Sequence, residues 1–374
     1  MRVDTLFLRN FRNYRYLNLE LDPHLNIFVG ANAQGKTNLL ESLVFLATGS
    51  SFRTRNEEEL VLWGEDSCTA AAQIIKKQQT EKLLVTYCLK EKKKQYFSNG
   101  LELKKSAFSG RLLAVLFTPE DLLVVKGAPQ ARRKYLDEII CRFSPLYAYS
   151  LSRYQHILRQ RNQLLKKYRE KIIASPELAS WNIQLAKEGA KIIRKRQYVL
   201  HRLGLLARLA QRNLTGREES LLIKYRTSLP KEFLTKDDEI EQALLRALQE
   251  NEKNECRLGQ SLIGPHRDEI IFLLNNRDAR LYASQGQQRT LILALKMAEL
   301  ELIKGECGEF PILLLDDVFS ELDEKRRRFV VENIEGKIQT LLTGTTAEGM
   351  NAFKKVGKIL LVERGEIKYN DPRK

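Results

Sequence analysis

The stretch Leu25-Asn26-Ile27-Phe28-Val29-Gly30-Ala31-Asn32-Ala33-Gln34-Gly35-Lys36-Thr37 decides the fold. Its first five residues are mostly apolar and stop at Gly30, which predicts a short buried strand. From Lys36 onward, Leu39, Leu40, Leu43 and Leu46 recur at helical spacing. Between strand and helix, Gly30 to Thr37 fits G-x-x-x-x-G-K-[ST], and that context gives the motif its meaning. The glycines let the backbone curl until its N–H groups converge on phosphate oxygens, and the helix adds its positive N-terminal end. Lys36 is then the group that reaches the β- and γ-phosphates, and Thr37 the hydroxyl for Mg²⁺. The blander reading is a glycine-rich turn into a helix; strand, motif and helix together favour a nucleotide.

Working outward, Ile312-Leu313-Leu314-Leu315-Asp316-Asp317 is an apolar strand ending in two acids. In a phosphate-loop fold this strand lies in the sheet beside the loop. Asp316 would then hold Mg²⁺, directly or through water, and Asp317 would polarise the attacking water. Alone, such a run is more often a buried strand with acids at its wet end; paired with the loop, the metal reading is favoured. Ala283-Ser284-Gln285-Gly286-Gln287-Gln288-Arg289 opens a further helix. A Ser and a Gly at a helix N-terminus make a second anion site, or an ordinary polar N-cap. Because the chain already has one phosphate loop, the anion reading needs Ser284 and Gly286 to complete the pocket of a second copy. Ser320-Glu321-Leu322-Asp323 would then sit at the seam of that dimer.

Around these motifs the chain changes character twice. The N-terminal part alternates as strands, with Leu6 and Leu8, then Leu17, Leu19 and Leu21, then 68–97 with Asn99-Gly100 as a hairpin turn signal. The middle carries apolar stripes at 151, 154, 158, 165, 168 and 172, with Arg161 in a skipped slot, and at 181, 185, 189, 192, 199, 203 and 206. Ser175-Pro176 reads as a helix start between them, so we expect two long antiparallel helices. An acidic helix starting near Thr235 or Asp237 follows, with Ile240, Ala243, Leu244 and Leu248 inward. The last third returns to a hairpin over 269–282, a helix from about Gln287 to Ile303, a charged helix from Asp323, a strand near Leu341 and a hairpin at Arg364-Gly365. The expected organisation is 1–125, N-terminal part of the α/β lobe; 126–255, a basic helical lobe; 256–374, C-terminal part of the α/β lobe.

Length and composition agree with this plan. A chain of 374 residues accommodates two or three lobes. No apolar run reaches the ~20 residues that span a bilayer, and Met1 to Thr5 lack the order of a signal peptide, so a soluble, cytoplasmic protein is expected. The five cysteines are scattered without a Cys-x-x-Cys pair, which argues against a zinc site. The formal net charge is +16, and it is concentrated. Residues 126–212 hold 20 Lys and Arg against 5 Asp and Glu, leaving the rest near neutral. A solvated helical face is the plain explanation; a polyanion such as DNA is the sharper one.

The ordered set of Gly30–Thr37, Ser284–Gln287, Asp316-Asp317 and Ser320–Asp323 resembles the ATP-binding-cassette ATPases. More narrowly, the chain resembles the bacterial RecF family of recombination and replication-repair proteins, related to SMC-type ATPases. Leu8-Arg9-Asn10-Phe11-Arg12-Asn13-Tyr14, Thr48-Gly49-Ser50-Ser51-Phe52-Arg53, Phe117–Leu122, Arg132-Arg133, Leu136-Asp137 and Gly264-Pro265-His266-Arg267-Asp268 carry that likeness. It implies an α/β cassette ATPase lobe with an inserted antiparallel helix pair, using ATP and Mg²⁺. It further implies an ATP-dependent homodimer on DNA, RecO and RecR as partners, recombinase loading at single-strand gaps, and a setting in the DNA-damage (SOS) response. The site residues carried over are Lys36, Asp316 and Asp317 for catalysis, Gly30, Ala31, Asn32, Ala33, Gln34, Gly35, Lys36, Thr37, Ser284 and Gly286 for the nucleotide, and Thr37 and Asp316 for the metal. Two positions depart from the wider pattern: Asp317 stands where Glu is usual, and Thr343-Gly344-Thr345 stands where a switch His is usual. Both favour slow turnover, a release switch rather than a fast engine. The rival readings are the ATPase subunit of a membrane transporter and a non-hydrolysing ATP-gated scaffold. Pro119-Glu120-Asp121 occupies a plausible Gln-loop position, Arg12 is a nucleotide contact or a surface charge, and His266 a functional contact or a packed loop residue.

Overall fold

The computed structural model describes residues 1–167, 176–229, 236–319, 322–345 and 357–369. The chain forms two compact units. The first joins Met1–Asp121 with Glu299–Lys374, and the second is Leu122–Ala298. Residues 256–298, which the sequence reading assigns to the α/β lobe, thus group with the helical unit.

Two sheets build the first unit. One is antiparallel, with strands in the order Tyr14–Glu20, Arg2–Phe11, Ser67–Lys76, Gln79–Cys88, Lys93–Ser98 and Leu101–Leu103. Alternation puts Leu6, Leu8, Ala70, Ala72, Leu83 and Val85 on one buried face. Asn99 and Gly100 both have positive φ, 49° and 82°, the backbone that a two-residue hairpin of right-handed strands requires. The other sheet runs Glu366–Tyr369, Lys358–Glu363, Leu25–Val29, Thr340–Gly344, Ile312–Leu315, Ala114–Phe117. Its last five strands are parallel and its first is an antiparallel edge. Every residue of Leu25–Val29 is buried, as expected of a strand covered on both faces. The helix Lys36–Thr48 shares one apolar core with both sheets, through Leu39, Leu40, Leu43, Phe45 and Leu46.

In the second unit the helices Pro145–Lys167 and Pro176–Leu214 pack against each other. They are antiparallel: Arg161 meets Asn182 at 2.7 Å, Arg153 nears Glu188 at 3.7 Å, and Tyr147 meets Arg196 at 3.2 Å. The buried seam of the shorter helix is Tyr147, Ser150, Tyr154, Ile157, Arg161 and Leu165. Leu151 and Leu158 flank it instead of lying in it, while Tyr168, Ile172 and Ser175 fall outside the described residues. The longer helix buries Leu185, Gly189, Ile192, Arg196, Val199 and Leu203. Each seam therefore contains an arginine at an apolar slot. Arg161 is bound to Glu255 at 2.6 Å with both side chains fully buried, and Arg196 holds Asp137 through two contacts of 2.8 Å. With buried Arg132 on Glu269, three cations of the basic stretch are structural.

The rest of this unit departs from expectation in two places and agrees with it in a third. Leu221–Arg226, not foreseen, pairs with Glu269–Leu274. The hairpin partner of 269–274 is only Arg277–Asp278; Ala279–Tyr282 is a helical turn capped by the Asp278 side chain. The acidic helix is Asp237–Glu250, burying Ile240, Leu244 and Leu248. Its first turn holds Asp237, Asp238 and Glu239, which complements the positive end of the helix dipole. Thr235 lies outside the described residues.

Candidate nucleotide site

The phosphate loop leaves the central strand at Gly30 and enters the helix at Lys36. A Cβ on Gly30 would stand 2.3 Å from the Val362 carbonyl oxygen, so no side chain fits there. Gly35 has φ of +116° against the Asn13 side chain, a backbone that only glycine adopts readily. The loop is held from outside by the Asn10–Tyr14 segment and the C-terminal hairpin. Asn13 Nδ2 donates to the Gln34 carbonyl at 2.9 Å, Tyr14 Oη to the Gly35 carbonyl at 3.1 Å, and the Gly365 N–H to the Gln34 carbonyl at 3.1 Å. Lys36 is buried and its Nζ donates to the carbonyls of Gly30 and Ala31 at 2.7 and 2.8 Å. Burial pushes its ammonium down from the usual lysine range, opposed by the charges of Asp317 and Asp316.

Asp316 follows the strand Ile312–Leu315, which lies parallel to Thr340–Gly344 and Ala114–Phe117. One oxygen of its carboxylate, Oδ1, accepts from the hydroxyls of Thr37 and Thr343, both at 2.9 Å. The Thr343 hydroxyl also accepts the Asp317 N–H at 2.9 Å, so it ties both acids together. Asp317 has φ of +54°, a costly backbone for a residue other than glycine and a recurrent one at functional sites. Burial raises the Asp316 carboxyl above the usual range; the two threonine hydroxyls lower it and the neighbouring Asp317 charge raises it. Thr37 and Asp316 together present the hard oxygen ligands that Mg²⁺ prefers in company with phosphate.

A cavity of about 760 Å³ opens over the loop, and Arg12, Asn13, Lys36, Thr37, Arg53 and Asp316 line it. Arg12 is thereby placed at the cavity. Its guanidinium forks onto Glu41, Nε at 2.9 Å and Nη2 at 2.7 Å. Ser51 Oγ donates to the same carboxylate at 2.5 Å, and Arg53 donates to Asn38, which donates to Asn13. Glu41 is fully buried and was missed in the sequence: helical spacing puts it on the side of the helix away from Leu39, Leu40, Leu43 and Leu46, where an acid reads as solvated. Pro119–Leu122 forms a 3₁₀ turn in which Asp121 accepts the Thr118 N–H at 2.7 Å.

The remaining motif residues belong to the second unit, apart from the post-strand loop. Ser284, Gln285 and Gly286 are exposed at the start of the helix Gln285–Cys307. The Ser284 N–H donates to Gln287 Oε1 at 2.8 Å and the Gln287 N–H to Ser284 Oγ at 3.3 Å, a reciprocal cap that satisfies two helix-end donors. His266 is packed: its Nε2 faces the Ser261 carbonyl at 3.1 Å and its Nδ1 the Tyr154 hydroxyl at 2.7 Å. A carbonyl only accepts, so Nε2 carries the proton and Tyr154 donates to Nδ1. Ser320 and Glu321 lie outside the described residues; Leu322 is buried, and Asp323 caps the helix Glu324–Ile334.

Comparison with known proteins adds the lineage. The family described as RecF/RecN/SMC N terminal domain matches residues 2–368. The DNA replication and repair protein RecF of Natranaerobius thermophilus is 42% identical over 99% of both chains, and that of Enterococcus faecalis is 41% identical with the same coverage. Among solved structures, the recombination mediator protein RecF-ATPrS in the RecFOR pathway matches at a TM-score of 0.92 and 32% identity, covering 99% of this chain and 98% of the other. An SMC head bound to the C-winged helix domain of ScpA matches at a TM-score of 0.57 and 15% identity, a likeness of fold. Among the described residues no helix is long and apolar enough to cross a membrane. By full-length likeness in sequence and in fold, the chain belongs to the RecF family within the RecF/SMC group of α/β ATPase folds.

Proposed function

We propose that the chain is an ATP-dependent DNA-binding protein of recombinational repair. ATP with Mg²⁺ occupies the cavity over the phosphate loop, two copies close on it, and slow hydrolysis releases the dimer from DNA. The observation that carries the reading is the 2.9 Å bond between Thr37 and Asp316, brought together from 279 residues apart. The solved RecF-ATP relative, 33% identical over 99% of this chain, supports the nucleotide, and its RecFOR pathway supports RecO and RecR as partners.

Each residue has a task that its chemistry suits. The backbone N–H groups of 30–37 and the N-terminus of the helix bind the triphosphate. Lys36 exchanges its two loop carbonyls for β- and γ-phosphate oxygens. Thr37 and Asp316 hold Mg²⁺, which supplies charge neutralisation at the phosphates when bound. Asp317 accepts a proton from the attacking water. It is one methylene shorter than the Glu usual at this position, so the water is less well aligned and turnover is slow. Ser284 and Gly286 face the γ-phosphate held by a second copy.

For DNA, support comes from the helix Pro176–Leu214. Lys187, Lys191, Arg194, His201, Arg208 and Arg212 are all exposed. Their spacing of three, four and multiples of these puts them on one face. From 187 to 212 that face spans roughly 38 Å at helical rise, about one turn of duplex DNA, ~34 Å. Backbone contact without base readout follows from such a row.

The test is nucleotide binding and DNA binding on one pair of proteins. Lys36→Ala removes calorimetric ATP binding and, with it, the ATP-dependent part of DNA affinity measured across salt concentrations. Normal ATP affinity in that variant would refute the assignment.

A further inference from the structure

Trp63 stands at the rim of the phosphate-loop cavity and is 94% exposed. A single exposed apolar residue needs no explanation, but this one differs in how it is held. The segment before it is anchored: Leu60 and Val61 are buried. The Arg12 N–H donates to the Leu60 carbonyl at 2.7 Å and the Leu62 N–H to the Asn10 carbonyl at 2.8 Å. The chain then turns sharply, with the Glu65 N–H on the Leu62 carbonyl at 3.0 Å and Gly64 at φ +90°. Glu65 is itself bound by Asn10 Nδ2 at 2.9 Å. Trp63 is therefore the tip of a turn fixed on both sides, and its ring is left in water beside a site built for phosphates.

Lys36 and Thr37 are polar and grip the phosphate end of any ligand; they do not tell a nucleotide from a bare polyphosphate. An indole at the cavity rim supplies what they lack, a flat apolar face of the size of a purine base. We propose that Trp63 is the base-recognition residue of the site, stacking on the purine of a bound nucleoside triphosphate. The proposal rests on the phosphate-loop reading and adds ligand selectivity to it. Stacking on an aromatic ring is tolerant of base identity, so Trp63 selects nucleotides over polyphosphate rather than adenine over guanine.

The experiment measures ATP and inorganic tripolyphosphate binding by calorimetry on the full chain, for the unaltered protein, Trp63→Ala and Trp63→Phe. Trp63→Ala should weaken ATP roughly tenfold, the scale of one base–aromatic stack, and leave tripolyphosphate unchanged. Trp63→Phe should recover most of the ATP affinity. In a Trp181→Phe background, where Trp63 is the sole tryptophan, ATP should quench the emission and tripolyphosphate should not. Equal losses for both ligands, or an unaltered ATP affinity in Trp63→Ala, overturn the proposal. Failure of the phosphate-loop reading looks different: both ligands then bind Lys36→Ala normally.

Discussion

Asp268 is buried with Tyr225 donating its hydroxyl to Oδ2 and, among the described residues, no partner on Oδ1. Burial pushes its carboxyl up to about 6, against the pull of Tyr225 and of the Arg196 and Arg133 charges. A folded value above the unfolded one, 3.8, means that the ionised form is penalised in the fold. That penalty is full above pH 6, fades below it and is gone under about pH 4. His266, two residues away, works in the opposite direction. Burial pushes its imidazole down from 6.5 to about 4, so acid favours the unfolded chain through that group over the same window. Comparing the protein with Asp268→Asn cancels the histidine and isolates the aspartate. As pH falls from 7.5 to 4.5, the melting temperature of the unaltered protein should rise relative to that of Asp268→Asn. A constant difference between the two across that range would show that Asp268 does not titrate there.

At the scale of elements, the two long helices show which sequence signals survive folding. Leu185, Gly189, Ile192, Val199 and Leu203 were legible because apolar spacing alone sets a buried seam. Arg196 was not, because periodicity counts it as a surface cation; only a partner distant in sequence, Asp137, makes its burial tolerable. The strand Leu221–Arg226 was hidden for a related reason. Its exposed Lys224 and Arg226 alternate with Leu221, Ile223 and Tyr225, which are covered only once the helix Pro176–Leu214 packs against the strand. The consequence for DNA binding is specific. Charge reversal at Lys187, Arg208 and Arg212, exposed cations of that face, should reduce DNA affinity and flatten the dependence of log affinity on log salt by up to about three units. The melting temperature should stay unchanged. Arg196→Ala should do the reverse, costing roughly 3 kcal/mol of stability by leaving Asp137 without its buried partner while the salt slope holds. An unaltered salt slope in the triple reversal removes the exposed face from the DNA interface.

Across the whole molecule, the candidate nucleotide site has the most contiguous signal, since Gly30–Thr37 is one stretch and Asp316 ends a recognisable strand. What sequence could not give was closure at long range: Thr343, from a third strand, ties Asp316 to Asp317, and Gly365 and Asn13 brace the loop. The motif at Ser284 has another status, because its reading depends on a second copy. Its hydroxyl caps its own helix, which is complete chemistry for a monomer, yet Leu281 and Tyr282 beside it are 68% and 69% exposed. Apolar side chains next to an exposed glycine and serine suit a surface covered on dimerisation. Ser284→Arg separates the two roles. Loss of the cap alone costs about 1 kcal/mol, an amount that Ser284→Ala reports on its own. The arginine adds bulk and charge to the surface that the proposed dimer would cover. It should leave ATP affinity of the monomer unchanged and abolish the ATP-dependent rise in mass seen by light scattering, whereas Ser284→Ala should retain most of that rise. An ATP-dependent dimer of normal strength in Ser284→Arg would reduce the motif to the helix cap that it already forms.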